Sequence, residues 1–543
     1  MAGMGDPYGL LEDESDFLIH PAMIADGKGV NYYGHFGFQY RDVSDWSYNF
    51  TLNPSSIRVL GQPVAGLPLV RLKGGYNGSG DEQLYDATGG VAFPLGCGRM
   101  GFFFNYKGKR GDYDGSGVFA GSLGTDNGSL RTSYDMDSSV DSFAGRFIYG
   151  LPLGASLKFG SELEIAYHQA ENSTSQRLTN ILLNGESFKS LLDLTDTNGF
   201  LGTLSPFMFP YDSSYFEITP KVGVSGGAGP VKWGTTVRGG AIFGGDNSWE
   251  SSQVLRVNPG AIGVDIGTIG ASHSFDLEGD VSGWKVGGDF WLRYALNPNM
   301  NLPFLLRIDY KSLSRDGQGT GLVFAGINGG NTLVDGFPLR WDYDQEETSF
   351  EIETGAGLEY VPNKGTLIAG GLYYKYINTE QTTSITPSVN IGDVGIDPLN
   401  NVRLSLPSTF DPAPEITEHQ VIFRMAAETQ INPCFVLRGG LKAFYGWVEE
   451  DFNLSSNLSP TGLSILKSTN SLSGGHWGIL GAIGSTFTFS NFAIEPFIQG
   501  GYELYNPDGT GTLSLLDGVA SANFDVDKER EDTFIGVGLS IRF

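Results

Sequence analysis

The chain has 543 residues, 79 of them Gly, with 13% aromatic residues and a formal net charge of -27. No run of about 18 consecutive apolar residues occurs, which excludes a helical membrane span, and the acidic balance disfavours nucleic acid as a partner. At ~150 residues per domain the length would allow several domains. Alternating apolar and polar residues nevertheless run from about 31 to 543 without a linker-like break, so one large unit, 31–543, is expected after a separate segment, 1–30.

The first 30 residues do not alternate. No basic region followed by an apolar core is present, so the reading is of a mature, processed chain. Residues 13–28 fit a short periplasmic segment or a plug lying inside a barrel. Within them, His20-Pro-Ala-Met-Ile-Ala-Asp26 resembles the Asn-Pro-Ala opening of the FadL family of hydrophobic-substrate transporters over fewer than ten positions, departing at the first residue. The resemblance implies a hatch in the lumen.

Strands are expected near 31–43, 83–95, 99–109, 141–152, 155–169, 214–225, 231–244, 282–296, 301–313, 347–361, 365–378, 416–431, 434–449, 475–489, 492–506 and 530–543. That makes sixteen, with fourteen to eighteen allowed because Val70–Tyr76 could belong to an extra hairpin. Successive side chains of a strand point to opposite faces. Met100, Phe102, Phe104 and Tyr106 thus oppose Arg99, Phe103, Asn105 and Lys107. Leu157, Leu163, Ile165 and Tyr167 oppose Lys158, Glu162, Glu164 and His168. Trp284, Val286, Phe290 and Leu292 oppose Lys285, Asp289 and Arg293. Phe350, Ile352, Leu358 and Tyr360 oppose Glu351, Glu353 and Glu359. Pro, Gly and Asn mark tight turns at 94–98, 152–155, 226–230, 297–301, 362–365, 432–434 and 490–491. Long polar loops are expected near 108–138, 171–213, 245–280, 312–345, 380–413, 451–473 and 507–528. Short turns on one side and long loops on the other form the asymmetry of outer-membrane barrels.

The last eleven residues carry the clearest pattern. Thr533, Ile535, Val537, Leu539, Ile541 and Phe543 share one face, and Phe534, Gly536, Gly538, Ser540 and Arg542 the other. An apolar face, a small or polar face and a terminal aromatic carboxylate resemble the closing strand of Gram-negative, porin-like outer-membrane β-barrels. Aromatics near the strand ends, among them Tyr106, Tyr167, Tyr294, Tyr310, Tyr374, Tyr376, Tyr445, Trp447 and Tyr502, fit belts at the headgroup level. The fold expected is an all-β, transmembrane antiparallel barrel of about sixteen strands in the bacterial outer membrane.

The polar rows would line its lumen: Arg99, Lys107, Arg146, Lys158, Glu162, Glu164, Lys232, Arg238, Lys285, Asp289, Arg293, Arg307, Asp309, Glu351, Glu353, Glu359, Arg424, Arg438, Lys442, Glu495 and Glu503. So many ionisable groups require water or dense pairing, which favours a water-filled passage. The primary expectation is a porin-like channel for passive diffusion of small hydrophilic solutes or ions. The loop 171–213, with Glu186, Asp193 and Asp196, would fold inward as its constriction. The alternatives are the hatched transporter of hydrophobic compounds and a barrel sheathing a multihaem electron conduit. Acids such as Asp112, Asp114, Asp126, Asp135, Asp137, Asp141, Asp525, Asp527, Glu529, Glu531 and Asp532 are assigned to loops at an acidic mouth. They would meet lipopolysaccharide and divalent cations. A homo-oligomer or a periplasmic multihaem partner is compatible. Cys97 and Cys434 lie in or beside turns and read as buried or inert thiols. No Cys-x-x-Cys-His occurs, so no c-type haem is attached covalently. No metal site, cofactor or enzyme motif is visible.

Overall fold

The computed structural model describes residues 20–63, 70–123, 126–184, 186–187, 192–197, 212–257, 269–327, 331–390, 403–405, 409–458 and 463–543. Its wall has sixteen strands: β1 (Asn31–Val59), β2 (Val70–Leu95), β3 (Gly98–Leu123), β4 (Asp126–Pro152), β5 (Leu157–Leu183), β6 (Asp212–Ala228), β7 (Val231–Val257), β8 (Ile269–Asn297), β9 (Met300–Ile327), β10 (Asn331–Asn363), β11 (Thr366–Asn390), β12 (Thr409–Asn432), β13 (Phe435–Leu458), β14 (Leu463–Thr488), β15 (Ala493–Leu515) and β16 (Ala520–Arg542). Each pairs antiparallel with its chain neighbours. β1 pairs with β2 on one side and with β16 on the other, which closes the barrel. Closure leaves no free edge, so every strand can find its ladder partners inside a bilayer. Among the described residues, 44–82 add no further strand to the sixteen: β1 extends to Val59, Gln62–Pro63 folds back onto its end, and β2 starts at Val70.

The outward rows are apolar over the half of each strand next to the short turns. Phe36, Phe104, Phe147, Ile165, Val222, Val237, Trp284, Leu372, Val421, Tyr445, Ile483, Ile498 and Ile535 all stand exposed. Each such side chain gains about 1.5–3 kcal/mol when hydrocarbon covers it. A soluble protein leaves no comparable apolar area uncovered. At the upper border of this belt Tyr374 and Tyr376 surround His419, whose Nδ1 lies 2.7 Å from the Tyr374 hydroxyl, and Trp447 lies beside it. Both ends of the barrel chain, Asn31 and Arg542, and the tight turns lie at the opposite rim; Gly96 and Gly229 supply positive φ there. An even-numbered closed antiparallel barrel with this belt is a bacterial outer-membrane β-barrel.

The long loops expected from the sequence are mostly strand. β3 runs to Leu123 and β4 starts at Asp126, so 108–138 is a hairpin joined through 124–125. β15 and β16 are joined at 516–519. Inside this projecting part, rings pack where strands carry glycine. Trp46, Tyr76, Tyr113, Tyr134 and Met136 form a buried cluster. A Cβ on Gly74 would stand 2.5 Å from the Phe50 ring, and one on Gly78 2.6 Å from the Tyr134 hydroxyl. Burial pushes the Tyr134 phenol up, and burial with nearby Glu450 pushes Tyr48 up to about 12. Because alternation continues along these strands, Asp112, Asp114, Asp135 and Asp137 sit on the outer face, paired Asp112 with Asp137 and Asp114 with Asp135. The acidic mouth is corrected accordingly: its acids decorate the outside of a tube. Asp532 is corrected too, since it is buried on the inner face of β16. The cysteines are corrected as well, both being free and exposed, Cys97 in the β2–β3 turn and Cys434 in the β12–β13 turn.

Candidate functional site: an N-terminal segment seated in a charged lumen

Residues Pro21–Asp26 form a 3-10 turn inside the barrel. Pro at the first position suits such a turn, since its missing N–H is not needed there. The segment packs against β3, β4, β5 and β6. Ile24, 2% exposed, joins Ala92, Phe103 and Ile148 in one apolar cluster, with Met23 and Tyr33 at its margin. The wall makes room by omitting side chains. A Cβ on Gly160 would collide with Ala22 N and the Pro21 carbonyl carbon. One on Gly150 would stand 2.5 Å from Ile24, and one on Gly101 2.7 Å from it.

Polar contacts fix both ends of the segment. His20 is buried, with Nδ1 2.7 Å from Thr236 Oγ1 and its ring edge-on to Trp291 at 5.9 Å. At the other end Arg99 Nη1 donates to Gly29 O at 2.7 Å and the guanidinium also reaches Asn31. Lys158 pairs with Asp26, half exposed. Exposed pairs contribute at most about 1 kcal/mol, so Asp26→Asn should leave the segment seated and the conductance of the purified protein unchanged.

The charged residues expected in the lumen lie on the inward rows, and most are locked in pairs. Arg146 and Lys221 share Glu162 and Glu164, at 2.7 and 3.2 Å for Arg146 and 3.0 and 2.9 Å for Lys221. Arg238 bridges Asp289 and Asp309 at 2.5 and 2.6 Å, and Arg307 also holds Asp289 at 2.8 Å. Lys285 pairs with Glu217, and Arg293 with Glu359. Lys375 holds Glu351 at 3.1 Å. Arg424 binds Glu353 at 2.7 Å and lies over the Tyr373 ring. Arg438 and Arg542 both reach Glu495, and Arg41 reaches Glu503 at 3.0 Å. Lys232 and Lys442 occupy inward positions of β7 and β13.

The densest knot was not among the expected site residues. Glu82, 2% exposed, accepts from Lys109 at 2.8 Å, Arg530 at 2.9 Å and the Tyr113 hydroxyl, with Arg41 at 3.8 Å. Asp532 completes it through Arg41 at 3.0 Å and Arg530 at 2.9 Å. Its members come from β1, β2, β3 and β16, and inward parity was the one signal that could have found them.

Above the seated segment lies a cavity of 720 Å³ bordered by Asp86, Asn105, Lys107, Arg146, Glu164, His168, Glu217, Lys221 and Lys285, with Leu84, Ala144, Ala166 and Phe497. A second inward group is an apolar cluster: Leu305, Tyr373 and Ile422 are buried together, with partly buried Trp291 and Phe444 against them. Of the expected constriction, 186–187 pairs with the end of β5, and 192–197 is paired between β5 and β7, continuing the wall above short β6. The backbone at Asp193 and Asp196 therefore belongs to the wall, as does the start of that loop, which is β5 up to Leu183, whereas residues 185, 188–191 and 198–211, like residues 1–19, lie outside the described residues. Among the described residues no three His, Cys, Asp or Glu side chains converge on a point suited to a metal ion.

No protein-family model matches the chain, and no curated protein matches it. Solved structures similar to it include a deletion mutant of the TodX monoaromatic hydrocarbon channel, 13% identical over 98% of this chain and 94% of that one, with a TM-score of 0.33. A Pseudomonas aeruginosa FadL homologue is 11% identical over 100% and 97%, TM-score 0.32. The Escherichia coli outer-membrane protease OmpT is 12% identical over 51% and 88%, TM-score 0.22. Superpositions this loose carry no conclusion about activity.

Proposed function

We propose that the protein is an outer-membrane transporter whose lumen is closed by its own N-terminal segment, and that it passes small hydrophobic molecules. The observation that carries this reading is the wedge His20–Asp26, set in a groove of wall glycines at membrane depth. A passive porin needs no such stopper. The inner face offers partly covered rings, Tyr48 and Phe119 in the projecting part and Trp291 and Phe444 deeper in, each packed on a buried apolar cluster. Aromatic rings bind apolar and aromatic solutes without hydrogen-bond demands. The sheath reading finds no support in a lumen that the chain's own segment and ion pairs occupy.

The hydrophilic-solute reading keeps one observation in its favour, the charged rim of the 720 Å³ cavity. Liposomes separate the two. Vesicles with a lipopolysaccharide outer leaflet should take up a monoaromatic hydrocarbon faster with the protein than without it, and proteoliposomes should not swell in isosmotic sugar. Swelling in sugar without hydrocarbon uptake would reverse the assignment. We also propose that the outward acids, such as Asp81, Asp112 and Asp137 beside a 460 Å³ surface recess, meet divalent cations held by lipopolysaccharide phosphates.

A further inference from the structure

One inward cluster of the lumen has no part in seating the hatch. His35 on β1 faces Ser540 on β16, its direct cross-strand partner, with Nδ1 and Oγ 2.9 Å apart. On its other side His35 Nε2 lies 2.6 Å from Asp86 Oδ2. We propose that Ser540, His35 and Asp86 form a nucleophile, base and orienting carboxylate that hydrolyse small carboxylic esters in the lumen.

The hydrogen bonds assign the roles. The Asp86 carboxylate can only accept, so it holds the imidazole proton on Nε2. Nδ1 then carries the lone pair and accepts the Ser540 O–H. A base oriented by a third group and touching a hydroxyl is recognised by geometry and role, not by sequence position. The wall is shaped around the set. Asp86 stands directly opposite Gly37, one inward step from His35, and a Cβ on Gly37 would collide with its carboxylate. Phe497 stacks on the His35 ring, centroids 5.9 Å apart and planes within 5°, in space that a Cβ on Gly538 would fill. Arg542, the next inward residue after Ser540, is held by Glu495 at 2.7 Å. Asp86, Gly37 and Phe497 border the 720 Å³ cavity, and the His35 side chain is 24% exposed.

In the reaction Ser540 Oγ attacks the ester carbonyl carbon and its proton passes to His35 Nδ1. The C–O bond to the alcohol breaks, and the leaving oxygen takes that proton. Water then attacks the acyl-Ser540 ester, giving one proton to His35 Nδ1, which returns it to Oγ as the carboxylic acid departs. The sum is ester plus water to acid plus alcohol, with no other reagent.

The test uses the full chain in detergent, with folding checked by the shifted mobility of unheated samples on a gel. A fluorophosphonate probe should label Ser540, located by mass spectrometry, and 4-nitrophenyl acetate should be hydrolysed. Ser540→Ala should abolish both. His35→Gln, which keeps a hydrogen-bonding side chain, should slow both by at least about 100-fold. Asp86→Asn should lower the rate and move its pH profile. Folded protein that takes no label at Ser540, or label undiminished in His35→Gln, overturns the proposal. None of these outcomes depends on whether hydrocarbons cross the barrel.

Discussion

Gly160→Val opens the barrel. The side chain would occupy the space now filled by Ala22 and the Pro21 carbonyl, contacts made by backbone that cannot swing aside. Forced overpacking of this kind costs about 3 kcal/mol, enough to shift the ratio of seated to released segment roughly a hundredfold. The wall itself is spared, because Gly160 faces inward and its ladder bonds with Gly150 and Gly223 involve only main chain. In planar bilayers the parent protein should be almost silent, whereas Gly160→Val and a deletion of 20–27 should both give large, sustained ohmic steps. If the two variants stay as closed as the parent while folded, the segment is not the stopper and the transport proposal loses its support.

The second large effect concerns stability. Glu82→Gln should cost about 3–5 kcal/mol, the range for removing one partner from a buried ionic group. Lys109, Arg530 and Arg41 would then face each other with Asp532, and Glu503 on Arg41, as the remaining anions. The knot ties β1 to β2, β3 and β16, the seam where the first and last strands meet. Urea unfolding in lipid vesicles, followed by tryptophan fluorescence, should show the loss. Glu529→Gln, an outward neighbour, should change stability by less than about 0.5 kcal/mol. Equal effects from the two substitutions would show that the knot adds nothing beyond ordinary surface charge.

Sixteen strands, their inward and outward rows and the position of the tight turns were legible because a bilayer imposes alternation on every crossing. The rows at Arg99–Lys107, Lys158–His168 and Lys285–Arg293 face inward. The projecting hairpins were not legible. Gly, Asp, Asn and Ser are poor strand formers on their own, so Gly111–Asp114 and Gly509–Gly511 read as loop. Closure supplies neighbours on both sides of each strand, and the missing side chains make room for rings such as Tyr113 and Phe524, which overrides propensity. The groove of the seated segment was not legible, since Gly101, Gly150, Gly160 and Gly223 are four separate wall glycines until the barrel closes. The Ser540–His35–Asp86 set joins residues from both ends of the chain and belongs to no local motif.

Strand length has a consequence outside the bilayer. A 26-residue strand such as β3, rising ~3.3 Å per residue and inclined by about 40°, stands about 65 Å tall, of which the hydrocarbon band takes about 25 Å. The remaining 40 Å or so reaches through the depth where sugars of the outer leaflet crowd the cell surface. Under the transport role proposed above, an oily solute captured at that height would never have to dissolve in the polar layer outside the membrane.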